Sequence, residues 1–157
     1  EGQLGDGTLV NKSTPVTVSG LTSGVVAIEA GGNSGYAIKS DGSLVAWGLN
    51  GNGQLGDGAT PNRTAPVQVS GLMSGVVQIA GGFRHAAALK ADGTLLTWGD
   101  DFYGQLGDGT AGGINSTFDA RRPPARRQNL CVGLQQRRKH RQQHDRRITG
   151  NADRRFD

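Results

Sequence analysis

The sequence predicts an all-β fold in which a small antiparallel sheet is repeated along the chain, and three observations lead to this prediction. The hexapeptide Gly-Gln-Leu-Gly-Asp-Gly occurs at Gly2–Gly7, Gly53–Gly58 and Gly104–Gly109, so that successive copies start 51 residues apart. The two complete intervals, aligned without a gap, are identical at about half of their positions. Within each interval, valine-rich segments are separated by glycine-containing turns, which is typical of strands. Repetition at this length indicates a tandem array.

Each interval contains four candidate strands. In the first unit (2–52) they are Pro15–Val18, Val25–Ile28, Gly35–Lys39 and Ser43–Trp47. In the second unit (53–103) they are Pro66–Val69, Val76–Ile79, Ala86–Leu89 and Thr94–Trp98. An Asp-Gly pair separates the last two strands of each unit, at Asp41-Gly42 and Asp92-Gly93. This pair predicts a hairpin with a type I′ turn, in which both central residues have positive φ.

Four short antiparallel strands in about 50 residues have the dimensions of one blade of a β-propeller. The third strand consists of small residues (Ala37 and Ala86–Ala88), which fit where blades crowd toward a central axis. The fourth strand carries Trp47 or Trp98, and we expect these side chains to fill the space between neighbouring blades. The alternative is a tryptophan that stacks on a ligand. The prediction is therefore two blades and the start of a third (104–113), which together make a propeller region of residues 1–113.

The hexapeptide is predicted to form a tight connection between blades. Its three glycines supply positive φ values, its leucine can pin the loop to a blade, and its Gln and Asp can satisfy unpaired backbone groups. Bound calcium is the alternative, but calcium takes six to eight oxygens and each loop has one acidic residue. The residues assigned this structural role are Gly2, Gln3, Leu4, Gly5, Trp47, Gly48, Gly53, Gln54, Leu55, Gly56, His85, Trp98, Gly99, Gly104, Gln105, Leu106 and Gly107.

No catalytic constellation is present in the repeats. His85 is their single histidine, and neither a nucleophile nor a second carboxylate is spaced to work with it. A histidine that hydrogen-bonds to the backbone of a strand or corner is the expected role. The sequence thus predicts a protein that is not an enzyme, with no cofactor, no metal and no small-molecule substrate.

One loop differs between the aligned units, and it is the candidate partner-binding loop. Asp100, Asp101, Phe102 and Tyr103 stand where the first unit has Leu49–Asn52. Repeat proteins place partner specificity on divergent loops around a common frame. A solvated acidic turn is the alternative interpretation.

The second unit resembles the regulator of chromosome condensation repeat. The matching residues are Ile79, Gly82, His85, Ala88, Leu89, Asp92, Gly93, Trp98, Gly99 and Gly104–Gly107. The first unit matches except that Ser34 stands where the family usually has His. The resemblance implies a seven-bladed propeller in full-length members, of which this chain would be a fragment. Because the repeats differ only in their loops, we expect a non-enzymatic protein-interaction scaffold. The resemblance also implies two alternatives: a guanine-nucleotide exchange factor for a small GTPase, and a propeller-type enzyme inhibitor.

The composition changes sharply near residue 116. Residues 1–115 carry five Lys plus Arg and nine Asp plus Glu, whereas residues 116–157 carry twelve and four. Such a charged, apolar-poor segment cannot bury a core. We therefore assign residues 114–157 to a disordered or irregular basic tail. Three origins stay open: a shifted reading frame, a genuine tail that contacts nucleic acid through phosphates, and an ordinary disordered extension.

Nothing in the sequence indicates a membrane-spanning segment, because no apolar run approaches the ~20 residues that a spanning helix needs. The single cysteine, Cys131, excludes a disulfide within the chain. The expected partner is another protein, with nucleic acid contacted only through the basic tail. Two blades alone would leave open faces and sheet edges, so we expect the isolated chain to be poorly soluble or loosely folded.

Overall fold

The computed structural model describes residues 1–116, which form two four-stranded antiparallel sheets without a helix. The first sheet contains β1 (Val25–Gly31), β2 (Ser34–Lys39), β3 (Leu44–Gly48) and β4 (Arg63–Gln68). The second contains β5 (Val76–Gly81), β6 (His85–Lys90), β7 (Leu95–Asp100) and β8 (Ile114–Asn115). In both sheets each strand pairs with the next in sequence. The predicted all-β fold of four-stranded antiparallel blades is confirmed.

Each sheet takes its strands from two successive repeats. Strands β1 to β3 lie in residues 2–52, whereas β4 lies in residues 53–103 and pairs with β3. The hexapeptide Gly53–Gly58 is part of the connection between β3 and β4. The first predicted strand of each unit therefore completes the preceding sheet and does not begin its own.

This arrangement explains why the strand predicted at Pro15–Val18 is wrong. The equivalent residues of the second unit reach β4, where Val67 pairs with Ala46 of β3. Residues 1–14 contain no strand that could pair with Pro15–Val18 in the same way. A strand forms where a neighbouring strand can pair with its backbone N–H and C=O groups. Pro15–Val18 has no such neighbour in the described part of the chain.

The Asp-Gly hairpins are present, but the predicted type I′ turn is wrong. No residue other than glycine has a positive φ in residues 1–116, so Asp41 does not adopt the left-handed conformation. Gly42 adopts it instead, with φ of 76°, and donates its N–H to the Lys39 carbonyl at 2.8 Å. The Asp41 carboxylate accepts hydrogen bonds from the hydroxyl and the backbone N–H of Ser43, at 2.6 and 2.9 Å. These bonds hold the pKa of Asp41 below its usual value.

The second sheet extends past the predicted start of the basic tail at residue 114. Ile114 pairs with Asp100 and Asn115 pairs with Gly99, which places β8 beside β7. Ile114 is 51 residues after Arg63, the first residue of β4. The repeat thus continues for two residues that the composition had assigned to the tail. The rest of that prediction, residues 117–157, lies outside the described residues.

The two sheets pack face to face, and their contact is the main apolar core. Its buried residues come from one face of each sheet and from the connections between them: Tyr36, Ile38, Leu44, Ala46, Leu55, Val69, Leu72, Val76, Ile79, Ala86, Ala88, Leu96 and Trp98. Strands β1 and β5 approach each other closely, since a Cβ atom on Gly31 would lie 2.8 Å from the Cα of Gly81. The crowded contact between the two sheets therefore falls on glycines of their first strands. The alanine-rich β6, which was expected at the crowded axis, is the second strand of its sheet.

A hexapeptide joins the sheets by holding the tryptophan of the following one. The indole N–H of Trp98 donates to the Gln54 carbonyl at 2.8 Å, and the same oxygen accepts the Tyr36 hydroxyl at 2.8 Å. Gly56 lies against the indole so closely that a Cβ atom there would be 2.7 Å from Nε1. Burial raises the pKa of Tyr36, so its hydroxyl remains a proton donor. Trp47 repeats this contact with the Gln3 carbonyl at 2.9 Å.

Replacing Trp98 with Ala should lower the free energy of unfolding by about 3–5 kcal/mol, because it empties the inter-sheet core. Trp98→Phe should cost less, since it keeps most of the apolar volume and loses the bond to the Gln54 carbonyl. Urea denaturation followed by circular dichroism measures both. Equal losses for the two variants would contradict the packing role.

Gly56→Ala and Gly107→Ala form a matched pair that isolates the contact with tryptophan. Both glycines are left-handed, with φ of 66° and 67°, so alanine strains the backbone equally. Alanine at 107 meets nothing within 4 Å among residues 1–116. We expect Gly107→Ala to cost about 1–2 kcal/mol and Gly56→Ala a further 1–3 kcal/mol from overpacking against Trp98. The same denaturation experiment compares them, and equal costs would show that the close packing against the indole is unimportant.

Candidate functional site: the loop face

Four connections leave the same end of the two sheets and form the loop face. They are the β1–β2, β3–β4, β5–β6 and β7–β8 connections, at residues 32–33, 49–62, 82–84 and 101–113. Because the strands run antiparallel, alternate connections emerge on one side. The loop face thus brings the candidate partner-binding loop beside the β5–β6 corner.

Asn50 organises the β3–β4 connection from the inside. It is fully buried, and its Nδ2 donates to the Asp57 carboxylate and to the carbonyls of Ala59 and Pro61, at 3.0, 3.0 and 3.1 Å. Its Oδ1 accepts the backbone N–H of Leu55 at 3.0 Å. The amide therefore uses donors and acceptors together to hold the hexapeptide loop in shape.

Asp101 occupies the equivalent position in the β7–β8 connection. Its side chain is buried, and Oδ1 accepts the backbone N–H of Leu106 at 2.9 Å, as Asn50 does for Leu55. Its backbone carbonyl accepts the N–H groups of Gly104 and Gly112. Asp101 was predicted to belong to a partner-binding loop, and its carboxylate is buried and bonded inside that loop. The physical reason is that the loop needs an internal acceptor at this position.

The hexapeptide aspartates also act within their own loops. Asp57 accepts the Arg63 Nε and Nη2 groups on one oxygen at 2.7 and 2.6 Å, and its other oxygen accepts the Ala59 N–H at 3.1 Å. Asp6 accepts the hydroxyl and the N–H of Thr8, and these bonds hold the Asp6 pKa below its usual value. Within residues 1–116, no group of three His, Cys, Asp or Glu side chains lies close enough to hold a metal.

The hexapeptide leucines differ in burial according to whether strands of a sheet precede them in the described part of the chain. Leu55 and Leu106 are buried, whereas Leu4 is 40% exposed. Gln54 and Gln105 each accept, through Oε1, the backbone N–H two residues earlier, at 2.9 and 2.8 Å. The remaining members of the set are glycines with positive φ: Gly2, Gly5, Gly48, Gly53, Gly99 and Gly104.

Two aromatic side chains project from the β7–β8 connection. Phe102 is 66% exposed and Tyr103 is 86% exposed, and their rings pack edge to face with centroids 4.9 Å apart. Asp100, which ends β7, accepts the Phe102 N–H at 2.8 Å and so positions this pair. Within the predicted partner-binding loop, Phe102 and Tyr103 therefore form the exposed surface, and Asp100 holds the backbone that carries them.

A second exposed pair lies beside the first, on the β5–β6 corner. The Arg84 guanidinium stands 5.6 Å above the Phe83 ring and 4.0 Å from the Asp100 carboxylate. The Arg84 carbonyl also accepts the Asp100 N–H at 2.9 Å. Phe83 and Arg84 were not predicted as site residues. The alignment of the two repeats could have identified them as divergent surface residues, since the first unit has Gly32 and Asn33 at these positions.

His85 supports this corner by packing. A Cβ atom on Gly82 would lie 2.4 Å from Cε1 of the His85 ring, so the imidazole fills the space that glycine leaves. The backbone carbonyl of His85 accepts the Gly82 N–H at 2.8 Å. The expected hydrogen bond from the imidazole to the backbone is absent from the described part of the chain. The ring thus has a packing role at the corner.

Comparison with protein families identifies the repeat. Two profiles described as regulator of chromosome condensation (RCC1) repeat match, one over residues 41–89 and the other over residues 25–54 and 76–105. The second profile matches twice at the same 51-residue interval as the hexapeptides. Each of its matches covers the first three strands of one sheet and ends within a hexapeptide.

Curated relatives match over the same region. Human E3 ubiquitin-protein ligase HERC2 is 37% identical over 115 residues, which is 72% of this chain and 2% of that protein. Ultraviolet-B receptor UVR8 of Arabidopsis thaliana is 36% identical over 110 residues, 69% of this chain and 25% of the receptor. The chain thus spans a small part of the curated relatives that it matches.

Solved structures support the fold. Human WBSCR16 superposes with a TM-score of 0.60 at 23% identity, covering 74% of this chain and 32% of that one. Yeast RCC1 (Prp20), in its complex with Kap60, gives a TM-score of 0.57 at 27% identity, covering 79% and 33%. The described residues contain no helix long and apolar enough to cross a membrane.

Asn50→Asp should be much more disruptive than Asp101→Asn, although the two positions are equivalent. An aspartate at 50 loses both amide hydrogens, which serve three acceptors, and places a charge beside Asp57, which should cost about 3 kcal/mol or more. An asparagine at 101 keeps an acceptor for the Leu106 N–H, so the loss should stay below about 1 kcal/mol. Urea denaturation of the two variants tests this asymmetry, and comparable losses would contradict the hydrogen-bond assignment.

Proposed function

Because this chain belongs to the regulator of chromosome condensation repeat family, we propose that it is a non-enzymatic protein-interaction scaffold, a portion of a larger repeat protein. Its partner binds the loop face of the second sheet. The observation that carries this proposal is the exposed quartet Phe83, Arg84, Phe102 and Tyr103, hereafter the aromatic–arginine cluster. The first sheet has Gly32, Asn33, Gly51 and Asn52 at the same four positions.

The chemistry of the aromatic–arginine cluster suits a protein partner. Phe, Tyr and Arg are enriched in the buried centres of protein interfaces, and Tyr and Arg are over-represented among residues whose loss weakens binding most. Arg84 is held between the Phe83 ring and the Asp100 carboxylate, so less side-chain freedom is lost on binding. The cluster therefore offers a preorganised surface that combines one cation stacked on Phe83 with the paired rings of Phe102 and Tyr103.

The relatives favour a protein partner without identifying it. One neighbouring structure is of yeast RCC1 bound to Kap60, and another, of Prp20p, is described with its binding to Gsp1p and histones. The match to a ubiquitin ligase covers only its repeats, so it brings no catalytic residue to this chain. Protein binding on a repeated frame is the activity that all of these observations support together.

Photo-crosslinking and titration test the proposal on the full chain. A benzophenone side chain at position 103 should capture a defined partner, whereas the same group at Met73, which is 72% exposed in the β4–β5 connection, should not. With that partner purified, Phe102→Ala combined with Tyr103→Ala should weaken binding about thirtyfold, as expected for interface residues worth about 2 kcal/mol. Isothermal titration calorimetry gives the dissociation constants.

Met73→Ala is the matched control, and the melting temperatures of all variants should stay within a few degrees of one another. Equal crosslinking at positions 73 and 103 would contradict the proposal, as would unchanged affinity in the double variant. Nucleotide release from several small GTPases, measured with the same full chain, separates the scaffold from an exchange factor. Release that is accelerated by the chain and lost in the double variant would favour the exchange factor.

A further inference from the structure

The two arginines within residues 1–116 lie at the loop-face end of the sheets and have different surroundings. Arg63 begins β4, and its Nε and Nη2 groups donate to one oxygen of Asp57 at 2.7 and 2.6 Å. In the part of the chain that the structure describes, the Arg84 guanidinium donates no hydrogen bond, and the Asp100 carboxylate oxygen at 4.0 Å is beyond hydrogen-bonding distance. Arg63 is therefore engaged in its own loop, whereas the N–H groups of Arg84 are available to a partner.

The Arg84 guanidinium has a defined position although it donates no hydrogen bond. Its Cζ atom lies 5.6 Å from the centroid of the Phe83 ring. Phe83 is itself held against the first sheet, since a Cβ atom on Gly32 would lie 3.1 Å from Cδ2 of Phe83 and 2.6 Å from its carbonyl oxygen. Because the ring beneath it is anchored, the cation loses less freedom when it binds a partner.

Of the two charges at this corner, the positive one is accessible. The Arg84 side chain is 53% exposed, whereas the Asp100 side chain is 13% exposed. Asp100 also accepts the Phe102 N–H at 2.8 Å, so its carboxylate serves its own loop. A partner that reaches the corner therefore meets a cation, which attracts an acidic group and repels a basic one.

The exposure of this corner does not arise from the position of the second sheet in the array. The first sheet is followed by the second, and its equivalent residues keep contact with solvent. Gly32 and Gly51 are exposed there, and Asn33 and Asn52 are half-buried. A sheet that packs behind another thus leaves these four positions accessible.

The charges in the described part of the chain favour a carboxylate over a phosphate. A phosphate group carries about −1.5 to −2 charges, and proteins that recognise phosphorylated segments use clusters of arginines. Arg84 has no such company, because the other four Lys and Arg side chains of residues 1–116 each lie within 4.0 Å of an aspartate: Lys12 with Asp6, Lys39 with Asp41, Arg63 with Asp57, and Lys90 with Asp92. A single cation suits a single negative charge, and the two oxygens of a carboxylate match two N–H groups of a guanidinium.

Resting on the proposed function, we propose that the partner contributes an acidic side chain, Asp or Glu, whose carboxylate accepts two parallel hydrogen bonds from Arg84. An apolar side chain in the same segment packs on the ring pair of Phe102 and Tyr103, which project from the neighbouring connection. The Phe83 ring shields one side of the ion pair from water, which strengthens the attraction. Arg84 is thus the residue that determines the specificity of the aromatic–arginine cluster, because a basic or amide group cannot replace the carboxylate.

Phage-displayed random linear peptides provide a probe that does not require the natural partner. Peptides are selected on the full chain, and those that also bind the Phe102→Ala and Tyr103→Ala double variant are removed. The remaining peptides should be enriched in Asp or Glu next to an apolar residue. The strongest of them is then synthesised in three forms: unchanged, with its acidic residue replaced by the corresponding amide, and with phosphoserine at that position.

Isothermal titration calorimetry with these peptides measures the contribution of Arg84. The amide form should bind the unmodified chain about thirtyfold more weakly, and Arg84→Gln should weaken binding of the acidic form by about the same factor. Both changes together should cost no more than either alone. Arg84→Lys should cost about tenfold, because an ammonium keeps the charge and loses the paired geometry. Asp100→Asn keeps an acceptor for the Phe102 N–H and removes a like charge, so binding should tighten about threefold.

Lys90→Gln is the matched charge control, because Lys90 lies at the opposite end of the same sheet and this variant should bind like the original chain. Tighter binding of the phosphoserine form would overturn the proposal, as would an Arg84→Gln chain that still prefers the acidic form to the amide form. Peptides that depend on Phe102 and Tyr103 but lack acidic residues would overturn this proposal alone. Failure to select any peptide that depends on these two residues would overturn the proposed function and this proposal with it.

Discussion

The Gln54 carbonyl oxygen is the point on which the arrangement of the two sheets depends. It lies in a loop of the first sheet and accepts hydrogen bonds from Tyr36 of that sheet and from Trp98 of the next. All three residues are buried. Losing either the Tyr36 hydroxyl or the Trp98 indole N–H would therefore leave the Gln54 carbonyl oxygen with one hydrogen bond fewer in an apolar core. A loop built from small residues is needed here, because Gly56 lies directly against the indole.

The same constraint explains why sequence repeats and sheets are out of step. A hexapeptide that must reach the following tryptophan has to leave one sheet before that sheet is complete. The chain then returns to add β4, so each sheet combines residues from two units. Strand positions followed from the alternation of apolar residues, but the pairing partner of Pro15–Val18 could not, because pairing is a property of the array.

Sequence patterns predicted the blades well and the site only in part. The repeat spacing and the glycines were sufficient for the strands that have a neighbour to pair with, but not for Pro15–Val18, which has none in the described part of the chain. Asp101 and Tyr103 are two residues apart and equally divergent from the first unit, yet one is buried and the other is 86% exposed. Only the path of the loop, fixed by the hydrogen bond from Leu106 to Asp101, separates these two environments. The amino-acid composition of the loop does not determine the path of its backbone.

The loop face therefore combines two tasks within a few residues. Asp101 holds the β7–β8 connection closed, as Asn50 does for β3–β4, and the positions that follow are then free to differ because no internal contact depends on their side chains. In the first sheet these positions are Gly51 and Asn52, and in the second they are Phe102 and Tyr103. An internal anchor shared by both loops, next to unconstrained exposed positions, allows successive sheets to carry different surfaces on one frame. The aromatic–arginine cluster can thus differ between sheets without altering the joint that holds them together.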